Sequence, residues 1–258
     1  MKALLIGDIV GRPGREILKE YLPELKDRYQ IDLTIVNGEN SASGSGITRK
    51  TADEIFNSGV DVITTGNHVW DKQEIFDWIE KEANLVRPAN YPERTPGKGF
   101  VISKFNNCKV AIINLCGRVF MPPLDCAFRA FDNIYKRVSL ETKNIIVDFH
   151  AEATSEKCAL GYYLDGRVTC VFGTHTHVQT SDARILPKGT AFVSDIGMTG
   201  AYDSVIGMDK EHAISSFVNH YPIRFEVAYG KAQLNGAVLD FDTNSGKAKS
   251  LETIQIFE

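Results

Sequence analysis

Three short apolar runs, each followed by small polar residues and then by helical periodicity, recur at roughly thirty-residue spacing. Ala3–Ile6, Leu33–Val36 and Val60–Thr65 are continuous, not alternating, which is the pattern of strands buried on both faces. The first leads through a glycine-rich turn, Gly7–Arg15, into a helix over Glu16–Gln30. The second leads through Asn37–Gly46 into a helix carrying Ile55 and Phe56, with Thr48 or Thr51 as its cap and Gly59 at its end. The third delivers Gly66–Asp71 and then a helix over Lys72–Lys81. Units of this kind join by right-handed crossovers into a largely parallel sheet. Ligands of such sheets bind beyond the carboxyl ends of the strands, and Asp8, Glu39, Asn40, Asn67 and His68 all fall at that edge.

Beyond Arg87 the pattern changes. Pro88, Pro92 and Pro96, with Gly97 and Gly99, exclude regular structure. Phe100–Ser103 and Lys109–Leu115 then read as an antiparallel hairpin about Asn106-Asn107. Gly117–Asp132 is a long connection rich in large apolar groups, read as a packed lid or an oligomer contact. Asn144–Phe149 and Val168–Phe172 are two more buried strands, with a helix over Ser155–Leu160 between them. One ends in His150, the other in Gly173-Thr174-His175-Thr176-His177. In extended backbone, residues two apart leave the same face, so His175 and His177 offer two imidazoles to one site. Ala191–Ser194 is a strand and Lys210–His220 a helix; Arg224–Tyr229, Gln233–Asp240 and Ser250–Phe257 then alternate like a closing antiparallel sheet. His212 and His220 belong to that helix and read as surface or packing residues. No repeat or linker interrupts the chain, so residues 1–258 are expected to form one domain.

The totals narrow the function. A chain of 258 residues, 43% apolar and 24% charged, has the composition of a globular protein with one sizeable core. A net charge of −4 argues against a general polyanion-binding surface, so a phosphate-bearing substrate needs local positive charge of the kind bound metal ions supply. The five cysteines are irregularly spaced without C-x-x-C and read as reduced thiols. The apolar start, Met1–Asp8, is too short for a signal peptide, and no run approaches a membrane span. A cytoplasmic location is therefore expected. Gly7, Gly11 and Gly14 do not match G-x-G-x-x-G, and Pro13 lacks an amide that a phosphate cradle uses, which speaks against a dinucleotide loop.

Collected, the strand-end residues are Asp8, Glu39, Asn40, Asn67, His68, His150, His175 and His177. Carboxylate, amide and imidazole donors without thiolate suit Fe, Mn or Zn in a reactive site better than a structural zinc. They are too many for one tetrahedral ion and enough for two, with a carboxylate as the natural bridge. Paired ions about 3.5–4 Å apart recur in enzymes that displace at phosphorus.

Gly-Asp at 7–8, Gly-Glu-Asn at 38–40, Gly-Asn-His at 66–68, the strand-end His150 and Gly-Thr-His-Thr-His at 173–177 resemble the ordered motifs of the calcineurin-like metallophosphoesterases. The YmdB-like branch of bacterial phosphodiesterases is the nearest resemblance, and it extends over essentially the whole chain. The usual D-x-H of the superfamily has Val10 at its histidine position, the second-motif aspartate is Glu39, and Val69 follows Gly-Asn-His. Those departures are shared by the YmdB-like branch and count against the protein phosphatases. The resemblance implies an α/β protein built as a four-layer α/β/β/α sandwich, two mixed sheets flanked by helices. It implies one metal on Asp8, Glu39, Asn40 and His177, with Asn40 replacing the ligand lost at Val10. The second would sit on Asn67, His150 and His175, with Glu39 bridging. Iron is the favoured metal and manganese the alternative. His68 stays off the metals and protonates the leaving oxygen, a role suited to a histidine near neutral pH. The implied substrate is a cyclic nucleotide, 2′,3′ or 3′,5′, and a homo-oligomer is expected. Two rival functions stay open: a regulatory protein that binds RNA or a protein partner with slow or vestigial catalysis, and a phosphomonoesterase or phosphoprotein phosphatase.

Overall fold

The computed structural model describes residues 1–258. Its strands are β1 (Lys2–Ile6), β2 (Asp8–Ile9), β3 (Leu33–Asn37), β4 (Val62–Thr64), β5 (Leu85–Val86), β6 (Phe100–Phe105) and β7 (Cys108–Cys116). These are followed by β8 (Ile145–His150), β9 (Cys170–Thr174), β10 (Arg184–Ile185), β11 (Ala191–Val193), β12 (Met198–Ala201), β13 (Ala232–Phe241) and β14 (Ala248–Phe257). The helices are α1 (Gly11–Tyr29), α2 (Arg49–Asn57), α3 (Ala127–Val138), α4 (Thr154–Leu164) and α5 (Lys210–Asn219).

Two mixed sheets result. In the first, β1, β3, β4 and β5 are parallel, and β13 joins β1 antiparallel. One edge of β13 serves both β12, at Ala232 and Gln233, and β1, from Gly236 to Asp240, while β14 takes its other edge. The second sheet runs β10-β11-β9-β8-β7-β6, parallel in the middle and antiparallel at both margins.

Side-chain alternation along each strand assigns the layers. Ala3 and Leu5 of β1, Leu33 and Ile35 of β3, Ile112 of β7, Ile146 of β8 and Phe172 of β9 share one buried cluster between the sheets. The alternate residues face outward. Leu4, Ile6 and Val36 pack on Ile17, Leu18 and Leu22 of α1 and Ile55 of α2. Ile113, Val147, Phe149 and Val171 pack on Phe131 of α3 and Leu160 of α4. This is a four-layer α/β/β/α sandwich. Each fully buried large aliphatic or aromatic side chain in these layers contributes about 1.5–3 kcal/mol.

Several elements differ from the sequence expectation. Helix α1 starts at Gly11, inside the expected glycine-rich turn; Pro13 falls in the first turn, where its missing amide has no helical acceptor to lose. Thr48 caps α2 through a hydroxyl that accepts the Thr51 amide at 3.2 Å. The expected helix over 72–81 is only a 3₁₀ segment, Gln73–Asp77, whose Ile75 is buried. The connection expected over 117–132 ends earlier, because Ala127 and Phe131 already belong to the buried face of α3. No strand forms over 224–229: Val227 turns in against Gly11 and Gly44 while Phe225 and Tyr229 stay exposed, and one bridge to Met208 is the only pairing.

Candidate metal centre

The carboxyl ends of both sheets converge on one polar cluster. Asp8 opens β2, Glu39 and Asn40 follow β3, and Asn67 and His68 follow β4. His150 ends β8, and His175 and His177 follow β9. All eight expected residues are thus brought to the same edge. Asp8, Glu39 and His150 are fully buried, whereas the His68 side chain is 41% exposed.

Two groups of donor atoms meet at Glu39. In one, His150 Nε2 lies 2.9 Å from Glu39 Oε1, 3.0 Å from Asn67 Oδ1 and 3.0 Å from His175 Nδ1. In the other, Asn40 Nδ2 is 3.4 Å from Glu39 Oε1 and 3.1 Å from His177 Nε2, and Asp8 Oδ1 lies 3.7 Å from that same His177 nitrogen. A half-turn of the Asn40 amide presents its oxygen there instead. Glu39 Oε2 accepts the His68 backbone N–H at 3.0 Å, and Asp8 Oδ2 accepts that of His175 at 3.1 Å.

These atoms form a set suited to metal ions. Asp8 Oδ1 is buried with no hydrogen-bond partner, a costly condition for a carboxylate oxygen unless a cation faces it. Donor atoms of Glu39, His150 and His175 all lie within 4.8 Å of one another. Backbone is drawn in as tightly: a Cβ on Gly66 would sit 2.4 Å from both Glu39 Oε2 and His150 Nε2. The donor set is oxygen and imidazole nitrogen throughout, and it fits.

The electrostatics follow from burial and charge. Burial pushes the Glu39 carboxyl up, but the charge and hydrogen bond of His150 outweigh it and bring it down to about 2. His150 rises to about 9 although burial opposes this, because Glu39, Asp8 and Asp148 surround it. Burial, then the charge of His150, lowers His175 to about 3. Burial raises the Asp8 carboxyl.

The imidazoles are oriented from behind. Thr174 Oγ1 donates to Asp148 Oδ1 at 2.7 Å, so it accepts the Nδ1–H of His150 at 2.9 Å and leaves Nε2 toward the cluster. Asn37 Nδ2 donates to Asp148 Oδ2 at 3.2 Å, while its Oδ1 accepts the Glu39 amide at 3.1 Å. Thr64 also donates to Asp148, whose carboxyl burial raises to about 7. His177 Nδ1 donates to the carbonyl of Ile206 at 2.7 Å, and Glu152 lies 3.1 Å from His175 Nε2. His68 Nδ1 faces Asp71 Oδ2 at 2.9 Å.

The His-x-His backbone is not extended. His175 and His177 have φ of 96° and 64°, so the pair reaches one cluster through a left-handed turn after β9, not through strand alternation. A buried ion pair holds that turn. Lys157 Nζ contacts Asp195 Oδ2 at 2.6 Å and donates to the Thr174 carbonyl at 2.8 Å. Asp195 Oδ2 in turn accepts the amide and hydroxyl of Thr176, at 3.1 and 2.8 Å.

The supporting residues Asn37, Asp148, Thr174, Lys157 and Asp195 were not singled out in the sequence. Asp148 carries a readable signal, since an acid inside the apolar run Ile145–His150 must find buried partners.

Residues 4–254 match the model of a family described as YmdB-like protein. A 2′,3′-cyclic-nucleotide 2′-phosphodiesterase of Bacillus subtilis (strain 168) is 55% identical, over 99% of this chain and 97% of its own length. A crystal structure described as a novel phosphatase from Mycoplasma pneumoniae superposes with a TM-score of 0.94 at 39% identity, covering all of this chain and 94% of the other. A calcineurin-like phosphoesterase of Bacillus subtilis shares the fold, with a TM-score of 0.56 at 13% identity over 100% of this chain and 90% of the other.

Proposed function

The chain belongs to the YmdB-like protein family, and from that premise we propose that it is a two-metal phosphodiesterase that opens cyclic nucleotides. The 2′,3′-cyclic esters are the first substrates in this reading, because the 55% identical relative bears that activity in its name; the 3′,5′ esters come second. One observation carries the metal assignment: two donor groups meet at the buried Glu39, beside a carboxylate oxygen of Asp8 that no protein group satisfies.

Asp8, Glu39, Asn40 and His177 would hold one ion, and Asn67, His150 and His175 the other, with Glu39 common to both. A mixed oxygen and imidazole donor set without thiolate suits iron, manganese or zinc, and this reading takes iron as the first metal and manganese as the alternative. When bound, such ions supply Lewis acidity toward phosphoryl oxygens and water.

The protein's own part is orientation and proton transfer. Asp71 holds Nδ1 of His68, so the opposite nitrogen is free to protonate the leaving ribose oxygen. Half-exposure of His68 keeps that nitrogen within reach of a small ester. Thr174 and Asp148 keep Nε2 of His150 directed at the cluster. The five cysteines are all free thiols, which suits a reducing, cytoplasmic setting. No helix is long and apolar enough to cross a membrane.

Elemental analysis together with turnover tests this reading. Protein purified without chelator should contain more than one equivalent of iron or manganese. It should hydrolyse 2′,3′-cyclic nucleotides and bis-p-nitrophenyl phosphate faster than mono-p-nitrophenyl phosphate. Metal content near zero with no uptake on reconstitution sinks the two-metal assignment. Preference for the monoester makes the protein a phosphomonoesterase.

A further inference from the structure

At the end of the second sheet away from His150 and His175, the turns before β8, β9 and β11 meet the β13–β14 turn around a cavity of about 340 Å³. The length of β8 separates the two ends by on the order of 17 Å at ~3.3 Å per residue. Each turn contributes a cation to the lining: Lys143, Arg167, Lys188 and Lys247. No carboxylate lines the cavity, and the hydroxyl residues Ser139, Thr142 and Ser245 complete its polar wall.

In a chain of net charge −4 this local reversal of sign is not a matter of composition. Nearby acids are engaged elsewhere. Asp165 accepts the backbone amides of Lys188 and Thr190 at 3.0 and 3.4 Å, and Glu141 pairs with Lys109 at 2.6 Å. Arg167 is paired with Asp132 at 2.7 Å and lies over the Tyr135 ring at 4.6 Å, so it forms a fixed rear wall. Lys143, Lys188 and Lys247 have no acidic partner within 4.0 Å.

The turns are also built to approach closely. Gly166, Gly189 and Gly246 each stand directly beside one of the cations, with φ of 82°, 101° and 73°. A Cβ on Gly246 would lie 2.4 Å from the Lys143 carbonyl oxygen. Gathering like charges in this way is unfavourable until an anion enters and is held by several of them at once.

We propose that this cavity is a second anion site, distinct from the metal centre, that takes a small oligophosphate: pyrophosphate itself or the phosphate tail of a nucleotide. Three unpaired lysines reaching in from three turns, with the Arg167 guanidinium behind them, exceed what one phosphate group engages, which favours a ligand with at least two. The glycine amides already bond to groups of these turns, and the Thr142 and Ser245 hydroxyls donate to the Lys109 carbonyl and to Asp242, so recognition falls to the lysine ammonium groups and the Ser139 hydroxyl.

Amide resonances of Gly166, Gly189 and Gly246 in the metal-loaded full chain, titrated with pyrophosphate and separately with ADP, test the site. Pyrophosphate should shift all three to saturation independently of resonances around Gly66. In the variant Lys143→Ala/Lys188→Ala/Lys247→Ala its affinity should fall at least about tenfold, with hydrolysis of bis-p-nitrophenyl phosphate unchanged. Without ligand, that variant should melt no lower than the parent, since the substitutions relieve like-charge repulsion. Equal affinity for the two ligands assigns a free oligophosphate, and tighter ADP binding assigns a nucleotide. No shift with either ligand, or the same shifts in the triple variant, overturns the proposal.

Discussion

At the scale of single residues, Glu39 and His68 separate the two functions proposed for the centre. Glu39 Oε1 is the atom both donor groups share, and its carboxyl is held near 2 despite complete burial. Glu39→Gln should therefore lose at least one metal ion and nearly all turnover while circular dichroism reports an intact fold; full metal content with full activity would remove its bridging role. His68 touches the cluster only through its backbone amide, and its ring faces Asp71 and solvent. A ribose alkoxide leaves only with a proton, whereas p-nitrophenolate hardly needs one. His68→Ala should keep its metals and lose about 10²–10⁴-fold on a cyclic nucleotide, with a much smaller loss on bis-p-nitrophenyl phosphate. Equal losses on both substrates would make His68 a positioning residue.

At the scale of elements, the turn after β9 depends on a side chain from α4. Removing one partner of a buried ion pair strands the other charge, at about 3–5 kcal/mol. Lys157→Met leaves Asp195 so stranded and also frees the Thr174 carbonyl. Equilibrium urea unfolding should report that loss, and retained stability would show that Asp195 is satisfied by Thr176 and Gly197 alone. The same turn marks where sequence reasoning stops. The strands read over Leu33–Val36 and Asn144–Phe149 were legible because burial on both faces demands predominantly apolar runs, and the residues at their ends were legible because clusters of polar groups end those runs. Nothing local announces that His175 and His177 leave the strand with positive φ, or that Lys157, distant in sequence, holds the turn. Alternation at Phe225, Val227 and Tyr229 imitates a strand because it lacks any sign that no partner edge is available. The apolar spacing of Ala127, Phe131 and Val138 is helical, but it follows directly on Pro122-Pro123 and is masked by the loop before it.

For the whole molecule, α5 and its surroundings carry more apolar surface than one chain covers. Phe217 and Val218 are 74% and 72% exposed, and Ile214, Tyr221 and Phe225 lie nearby in sequence, also exposed. We propose a homo-oligomer that covers this face; light scattering that returned 28.7 kDa at micromolar concentration would refute it. The wider consequence lies in where the donors come from. Asp8, Glu39, Asn40 and Asn67 belong to the first sheet's edge, and His150, His175 and His177 to the second's. On the proposed function each ion is gripped from both sides of the interior interface, so it works as a rivet through the two halves of the sandwich. An ion that binds only the assembled pair of sheets lends the fold about 2.7 kcal/mol when it stands at a hundred times its dissociation constant. Metal supply would then govern persistence as well as rate: a cell short of the ion would hold fewer copies of this protein, cleared by proteases that find the sheets parted.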